Sequence, residues 1–128
     1  MNLNQVTLPV TDLARSIAFY ETLGLRLIVR SEPRYARFEC PDGDATFSLH
    51  LAEGPLHGNG AWIYFELEDL DGRVKELQEK GIVFETLPEG KPWLWRESRL
   101  KDPDGNQLIL YRAGENRKNP PWRISGKG

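Results

Sequence analysis

The residues of this chain that could do chemistry sit at alternate positions of short β-like runs. In Gln5 to Val10, Val6, Leu8 and Val10 turn toward a core, which leaves Gln5 and Thr7 on the other face. Phe47-Ser48-Leu49-His50-Leu51 separates Ser48 and His50 from three apolar residues in the same way. In Trp62 to Leu67, Trp62, Tyr64 and Glu66 oppose Ile63, Phe65 and Leu67, and in the run 107–112 Ile109 and Tyr111 take the matching face. Phe38 and Leu100 read as core, so Tyr35, Arg37, Glu39, Glu97, Arg99 and Lys101 fall opposite them, some at a solvent rim. The chemistry on offer is recognition. Aromatic walls stack on flat or cationic ligands. Arg37 and Arg99 have planar forks for a carboxylate or phosphate, or they pair with Glu39 and Glu97 on a solvated strand face. Glu66 and His50 are the groups able to move a proton. Cys40 has no neighbouring base and is not read as a nucleophile, and His57, in a Gly-rich stretch, reads as solvated.

The elements that must position these residues are written twice. A strand-like run, Gln5 to Val10, leads through Thr11-Asp12-Leu13 into a helical stretch ending at Leu23-Gly24; a second, Trp62 to Leu67, leads through Glu68-Asp69-Leu70 to Lys80-Gly81. Asp12 and Asp69 are 57 positions apart, as are Gly24 and Gly81. Thr11 or Asp12 in the first copy, and Asp69 or Asp71 in the second, can satisfy orphan N–H groups at the helix start, and Gly at the end accepts a left-handed conformation. Leu13, Ile17 and Tyr20 with Phe19, and Leu70, Val74 and Leu77, form the apolar stripes. Each helix is followed by a β-like run, Leu25 to Arg30 and Ile82 to Leu87. Paired strands then flank Pro41-Asp42-Gly43 and Pro103-Asp104-Gly105, turns 62 positions apart, so the second half carries five extra residues before its turn. Part of that excess is Lys91-Pro92-Trp93-Leu94-Trp95, a loop whose two tryptophans suit a lid, a dimer contact or packing on the body. The repeat predicts two βαβββ modules in a pseudo-twofold arrangement with a cavity between them. The modules span 1–52 and 61–113, joined by a linker over 53–60, with a tail over 114–128, as one compact domain. Trp122 and Ile124 in the tail either dock or remain mobile.

Composition narrows the class. A net charge of −2 over 128 residues provides no basic field for nucleic acid. The single cysteine excludes an internal disulfide and fits a reducing compartment. No apolar run reaches the roughly 18 to 20 residues of a membrane span, and no secretory signal is visible, so a cytoplasmic protein is expected.

Val10-Thr11-Asp12-Leu13, Phe19-Tyr20 before Leu23-Gly24, Asp69-Leu70-Asp71 and Asp102-Pro103-Asp104-Gly105-Asn106, in this order, resemble the vicinal oxygen chelate superfamily over residues 3 to 112. That superfamily includes glyoxalase I, extradiol dioxygenases, and fosfomycin- and bleomycin-resistance proteins. The resemblance implies an α+β fold in which curled mixed sheets form a cup, commonly in a homodimer. It also implies where a divalent ion would sit: on Gln5 and Trp62 of the opening strands and Ser48 and Ile109 of the closing strands. Trp62 and Ile109 have no lone pair for a metal, and His50, two residues beyond Ser48, is the nearest substitute.

The expected function is metal-free binding of a small planar or aromatic molecule in the cup, for sequestration, with no cofactor and no nucleic-acid or membrane partner. The lining expected is Gln5, Thr7, Tyr35, Arg37, Ser48, His50, Trp62, Tyr64, Glu66, Trp93, Trp95, Arg99, Ile109 and Tyr111. Two alternatives stand beside it: a metal-dependent lyase, isomerase or dioxygenase, and a non-catalytic scaffold whose aromatics fill its own cup.

Overall fold

Caps and apolar stripes build the elements they imply. In the computed structural model, which describes residues 2–56 and 61–124, the order is β1 (Gln5–Val10), α1 (Leu13–Leu23), β2 (Arg26–Ser31), β3 (Tyr35–Glu39), β4 (Thr46–Leu51), β5 (Trp62–Glu66), α2 (Leu70–Glu79), β6 (Thr86–Gly90), β7 (Arg96–Lys101) and β8 (Gln107–Arg112), then a 3-10 turn at Gly114–Arg117. Asp12 caps α1 by accepting from the Arg15 N–H at 3.0 Å, and Asp69 caps α2 by accepting from Gly72 at 3.1 Å. Gly24 ends α1 at φ 112°, a left-handed conformation that a side chain resists. Leu13, Ile17 and Tyr20, and Leu70, Val74 and Leu77, are all buried.

The strands form two four-stranded sheets, β1-β4-β3-β2 and β5-β8-β7-β6, so the connectivity of the first βαβββ module is repeated in the second. β1 runs parallel to β4 and β5 parallel to β8; β3 is antiparallel to β4 and to β2, and β6 to β7. Two strands begin later than the apolar runs suggest. Leu25 spends its N–H closing α1 on the Tyr20 carbonyl, so β2 starts at Arg26 rather than Leu25. β6 is displaced further, from the expected Ile82–Leu87 to Thr86–Gly90. Pairing with β7 starts only when the Glu85 N–H reaches the Arg99 carbonyl at 2.8 Å, and Val83 is left 83% exposed. Pro88, which has no N–H to give, is tolerated because β6 is an edge strand.

The chain divides into two compact units, Met1–Ala61 with Lys101–Asn106, and Trp62–Leu100 with Gln107–Gly128. The turn between β7 and β8 thus belongs to the first unit, and its aspartates explain why. Asp102 is buried and accepts four hydrogen bonds. Asp104 N–H and Asn106 N–H reach Oδ1 at 2.9 and 2.8 Å; the Tyr20 hydroxyl and Asn106 Nδ2 reach Oδ2 at 2.6 and 2.7 Å. Asp104 receives the Thr11 N–H at 3.1 Å, the Thr11 hydroxyl, and Ser16 Oγ at 3.3 Å, tying down the start of α1. Burial, then the charge of Asp102 and the bond to it, pushes the Tyr20 phenol far up, so it stays a donor. Its ring packs on Phe47 and Phe38 at 4.7 and 6.1 Å between centroids. The Asp-Pro-Asp-Gly-Asn signature is therefore architectural.

Candidate functional site

The lining residues expected from alternation divide between the two sheets, and each sheet gathers its own group. In the first sheet, strand register sets Thr7 beside Ser48 and Ser48 beside Arg37, with Tyr35 opposite His50. Tyr35 and Ser48 share a hydrogen bond of 2.7 Å, and Arg37 Nε donates to the Tyr35 oxygen at 2.9 Å with its guanidinium 5.4 Å from the ring centroid. Ser48 is fully buried. Gln5 Oε1 accepts from Thr46 Oγ1 at 2.7 Å. Burial raises the Tyr35 phenol, but the bonds from Ser48 and Arg37, the charge of Arg37 and a contribution from Gln5 outweigh it, so its pKa lies below the ordinary tyrosine value. Thr7 and His50 are exposed, and His50 Nδ1 lies 3.0 Å from the Leu51 carbonyl. Glu39 does not pair with Arg37; it takes Arg26 at 3.0 Å.

The second sheet builds an aromatic cavity. Ile109 and Tyr111 of β8 are buried with Ala113, and Trp95 packs on them. Trp95 stacks on Tyr111 at 4.8 Å and 27°, and Tyr64 stands edge-on to both rings. The turn Lys91–Leu94, closed by the Leu94 N–H on the Lys91 carbonyl at 2.9 Å with Leu94 at φ 67°, brings Trp93 over the same face. Trp93 Nε1 donates to Glu97 Oε2 at 2.8 Å. Glu97 is only 2% exposed, and its other oxygen, Oε1, is buried without a hydrogen-bond partner. Arg99 leaves Glu97 and lies 4.8 Å over the Trp62 ring. The cavity they enclose is about 420 Å³, within the range of small-molecule sites.

The tail completes this cavity. Glu66 Oε2 accepts the N–H groups of Ala113 and Gly114, both at 2.8 Å, fixing the start of the 3-10 turn; Arg112 and Arg117 lie 3.6 and 3.9 Å from the same carboxylate. Trp95 Nε1 donates to the Asn116 carbonyl at 3.2 Å. Asn116, Arg117, Pro120 and Trp122 then line the cavity opposite the strands. A larger depression of about 560 Å³ is lined by Lys91, Leu94, Trp95, Arg96, Arg112 and Glu115 among others; Trp95 is its one aromatic ring, and it does not include Glu97 with its unpartnered oxygen.

Of the expected lining, Trp62, Tyr64, Trp93, Trp95 and Arg99 meet around one cavity, with Ile109 and Tyr111 packed under Trp95. Glu66 is diverted from the role of base: two backbone donors and two arginines consume its carboxylate, and they lower its pKa although burial alone would raise it. The double-tryptophan loop packs on its own module and lines the cavity. Alternation put Glu97 on the face opposite the core, as a partner for an arginine on a solvated strand face, since glutamates are rarely buried; the structure buries it. The signal was its place two residues from both Trp95 and Arg99, on the aromatic face. Burial raises the Cys40 thiol, away from reactive thiolate. His57 lies outside the described residues.

The sequence model of the Glyoxalase/Bleomycin resistance protein/Dioxygenase superfamily matches residues 2–110. The chain belongs to that superfamily. It is 30% identical to the uncharacterized protein YraH of Bacillus subtilis, over 88% of this chain and 98% of that one. Among solved structures it is similar to a superfamily member from Sphaerobacter thermophilus, with a TM-score of 0.72, 28% identity, and 88% and 97% of the two chains covered. The fold is also shared with a bleomycin resistance determinant encoded on transposon Tn5, with a TM-score of 0.73, 24% identity, and 88% and 98% covered.

Against the superfamily's metal-bearing pattern, the donors at the four positions do not fit a divalent ion. Ile109 is a fully buried hydrocarbon, and the face of Trp62 already carries a guanidinium. Ser48 is bound to Tyr35 and the Gln5 carbonyl to Thr46. No cluster of three His, Cys, Asp or Glu that could hold a metal occurs among the described residues, and three or four good donors make a firm site.

Proposed function

We propose that this superfamily member binds a small planar or aromatic organic molecule without a metal, in the manner of a sequestering resistance protein rather than a metal-dependent lyase, isomerase or dioxygenase. The observation that carries this reading is the aromatic cavity of the second module. Trp62, Tyr64, Trp93 and Trp122 keep 52%, 41%, 40% and 57% exposure around about 420 Å³ of open space. A self-filled scaffold would bury those rings in each other; here Trp62 is covered by Arg99 and Trp93 is bonded to Glu97 instead. The likeness in fold to a resistance determinant supports sequestration as the use. We extend the proposal to a homodimer, because Ile28, Val83 and Leu87 leave apolar surface uncovered, and to the cytoplasm, because a single cysteine fits a reducing compartment.

Intrinsic tryptophan fluorescence tests the binding. A flat aromatic probe should quench emission saturably, and Trp62→Ala should weaken it by about 1 kcal/mol, roughly fivefold, through loss of one stacking wall. The same preparation, grown with added metal, should contain no stoichiometric divalent ion and scatter light as a dimer at micromolar concentration. An unaltered affinity in Trp62→Ala, or a bound equivalent of zinc, nickel or manganese, defeats the reading.

A further inference from the structure

Glu97 sets the chemical class of the ligand. A carboxylate that is 98% shielded from water should have its oxygens paired, because an unpaired buried charged acceptor costs more than the neutral one-bond deficit. Oε2 has the Trp93 indole. Oε1 has nothing, yet Glu97 lines the cavity. The other charges facing that space are engaged elsewhere: Arg99 lies on the Trp62 ring and Arg117 turns to Glu66. What Oε1 still lacks is a hydrogen-bond donor, preferably cationic, beside π faces that also favour a cation.

We infer that the ligand is a flat aromatic molecule bearing a protonated amine or amidine whose N–H is received by Glu97 Oε1 while its ring lies against the tryptophans. This rests on the binding reading above and narrows it. The open valence of Oε1 calls for an N–H, so a quaternary ammonium, which has charge but no donor, meets only half of the requirement.

A matched series of indoles separates these terms. Tryptamine, its N,N,N-trimethylammonium analogue, neutral 3-methylindole and indole-3-acetate are titrated into the full-length protein by calorimetry at pH 7. Tryptamine should bind about ten- to hundredfold more tightly than 3-methylindole, the worth of one hydrogen bond to a charged group. The trimethylammonium analogue should fall between them and the acetate should bind most weakly. Glu97→Gln, which keeps an acceptor for Trp93, should abolish the preference, so that tryptamine binds no more tightly than 3-methylindole does to the same variant. Equal affinities across the series in the unaltered protein overturn the amine assignment while the aromatic-binding reading survives. The same holds if the trimethylammonium analogue equals tryptamine, or if Glu97→Gln, folded by circular dichroism, still prefers tryptamine. Failure of every indole to bind overturns the binding reading itself.

Discussion

At Tyr35, burial and hydrogen bonding pull a phenol in opposite directions. Burial favours the neutral form; Ser48, the Arg37 fork and its charge favour the phenolate, and they prevail. The other three tyrosines move the opposite way. Tyr20 and Tyr64 are raised by burial and then by Asp102 and Glu97 respectively, and Tyr111 by burial and then Glu66. An alkaline titration followed at the phenolate absorbance should therefore show one tyrosine ionising ahead of the ordinary value of 10, with the rest late. Tyr35→Phe should delete the early step. Arg37→Gln should move it upward without deleting it. Because the folded pKa is depressed, this group contributes stability above its unfolded value, and that contribution is gone once the pH has fallen below the folded one; at neutral pH it contributes little. An early step that persists in Tyr35→Phe would transfer the assignment to another residue.

Among elements, the 3-10 turn is held by two side chains, Glu66 at its start and Trp95, whose indole reaches the Asn116 carbonyl, further along. Four residues cannot hold themselves against a sheet; the two N–H groups at its start are received by Glu66 Oε2, and Arg112 and Arg117 stand beside the same carboxylate. The residues beyond it, including Trp122, continue along the cavity wall from that anchor. Burial raises the Glu66 pKa, but the two amides and two arginines lower it more, leaving it below the ordinary 4.5. The stabilisation is therefore present above about pH 4.5 and is lost as the pH falls through the lower, folded value. Glu66→Gln should lower the melting temperature at pH 7, flatten its fall between pH 5 and about pH 3, and red-shift tryptophan emission as Trp95 loses the Asn116 carbonyl. Parallel melting curves for the two proteins across that range would remove Glu66 from this role. None of this was legible in the sequence, where Glu66 is one more polar residue on an alternating strand, and the donating amides are 47 and 48 positions away. What was legible is local. Asp caps, terminal glycines and Pro-Asp-Gly turns act within a few residues and announce the elements directly. β6 was misplaced because Ile82-Val83-Phe84 has β character but no partner until Glu85.

For the whole molecule, the duplicated halves differ where the turns meet the helices. The position before the first turn's proline is Cys40, half-buried; before the second it is Asp102, which accepts the buried Tyr20 hydroxyl from α1. The repeat in the sequence suggests modules that begin and end at the linker. The contacts say otherwise, because residues 101–106 are part of the first unit. Spacing reveals a repeated unit; it does not reveal a turn 82 positions away from the tyrosine whose hydroxyl it accepts. A fragment ending in the linker, residues 1–56, would retain α1 and its sheet but leave the Tyr20 hydroxyl buried without an acceptor, and Thr11 and Ser16 without Asp104. Each lost bond to a charged group is worth about 1.5–3 kcal/mol, and a module of this size has little stability to spare. The fragment should therefore show weak helical circular dichroism alone and recover it when mixed with residues 61–124, which bring the turn. Adding the complementary fragment with Asp102→Ala and Asp104→Ala should restore much less. A 1–56 fragment that folds cooperatively by itself would mean that the first module is complete without the turn, and that the two aspartates are ornaments of the loop rather than part of the first core.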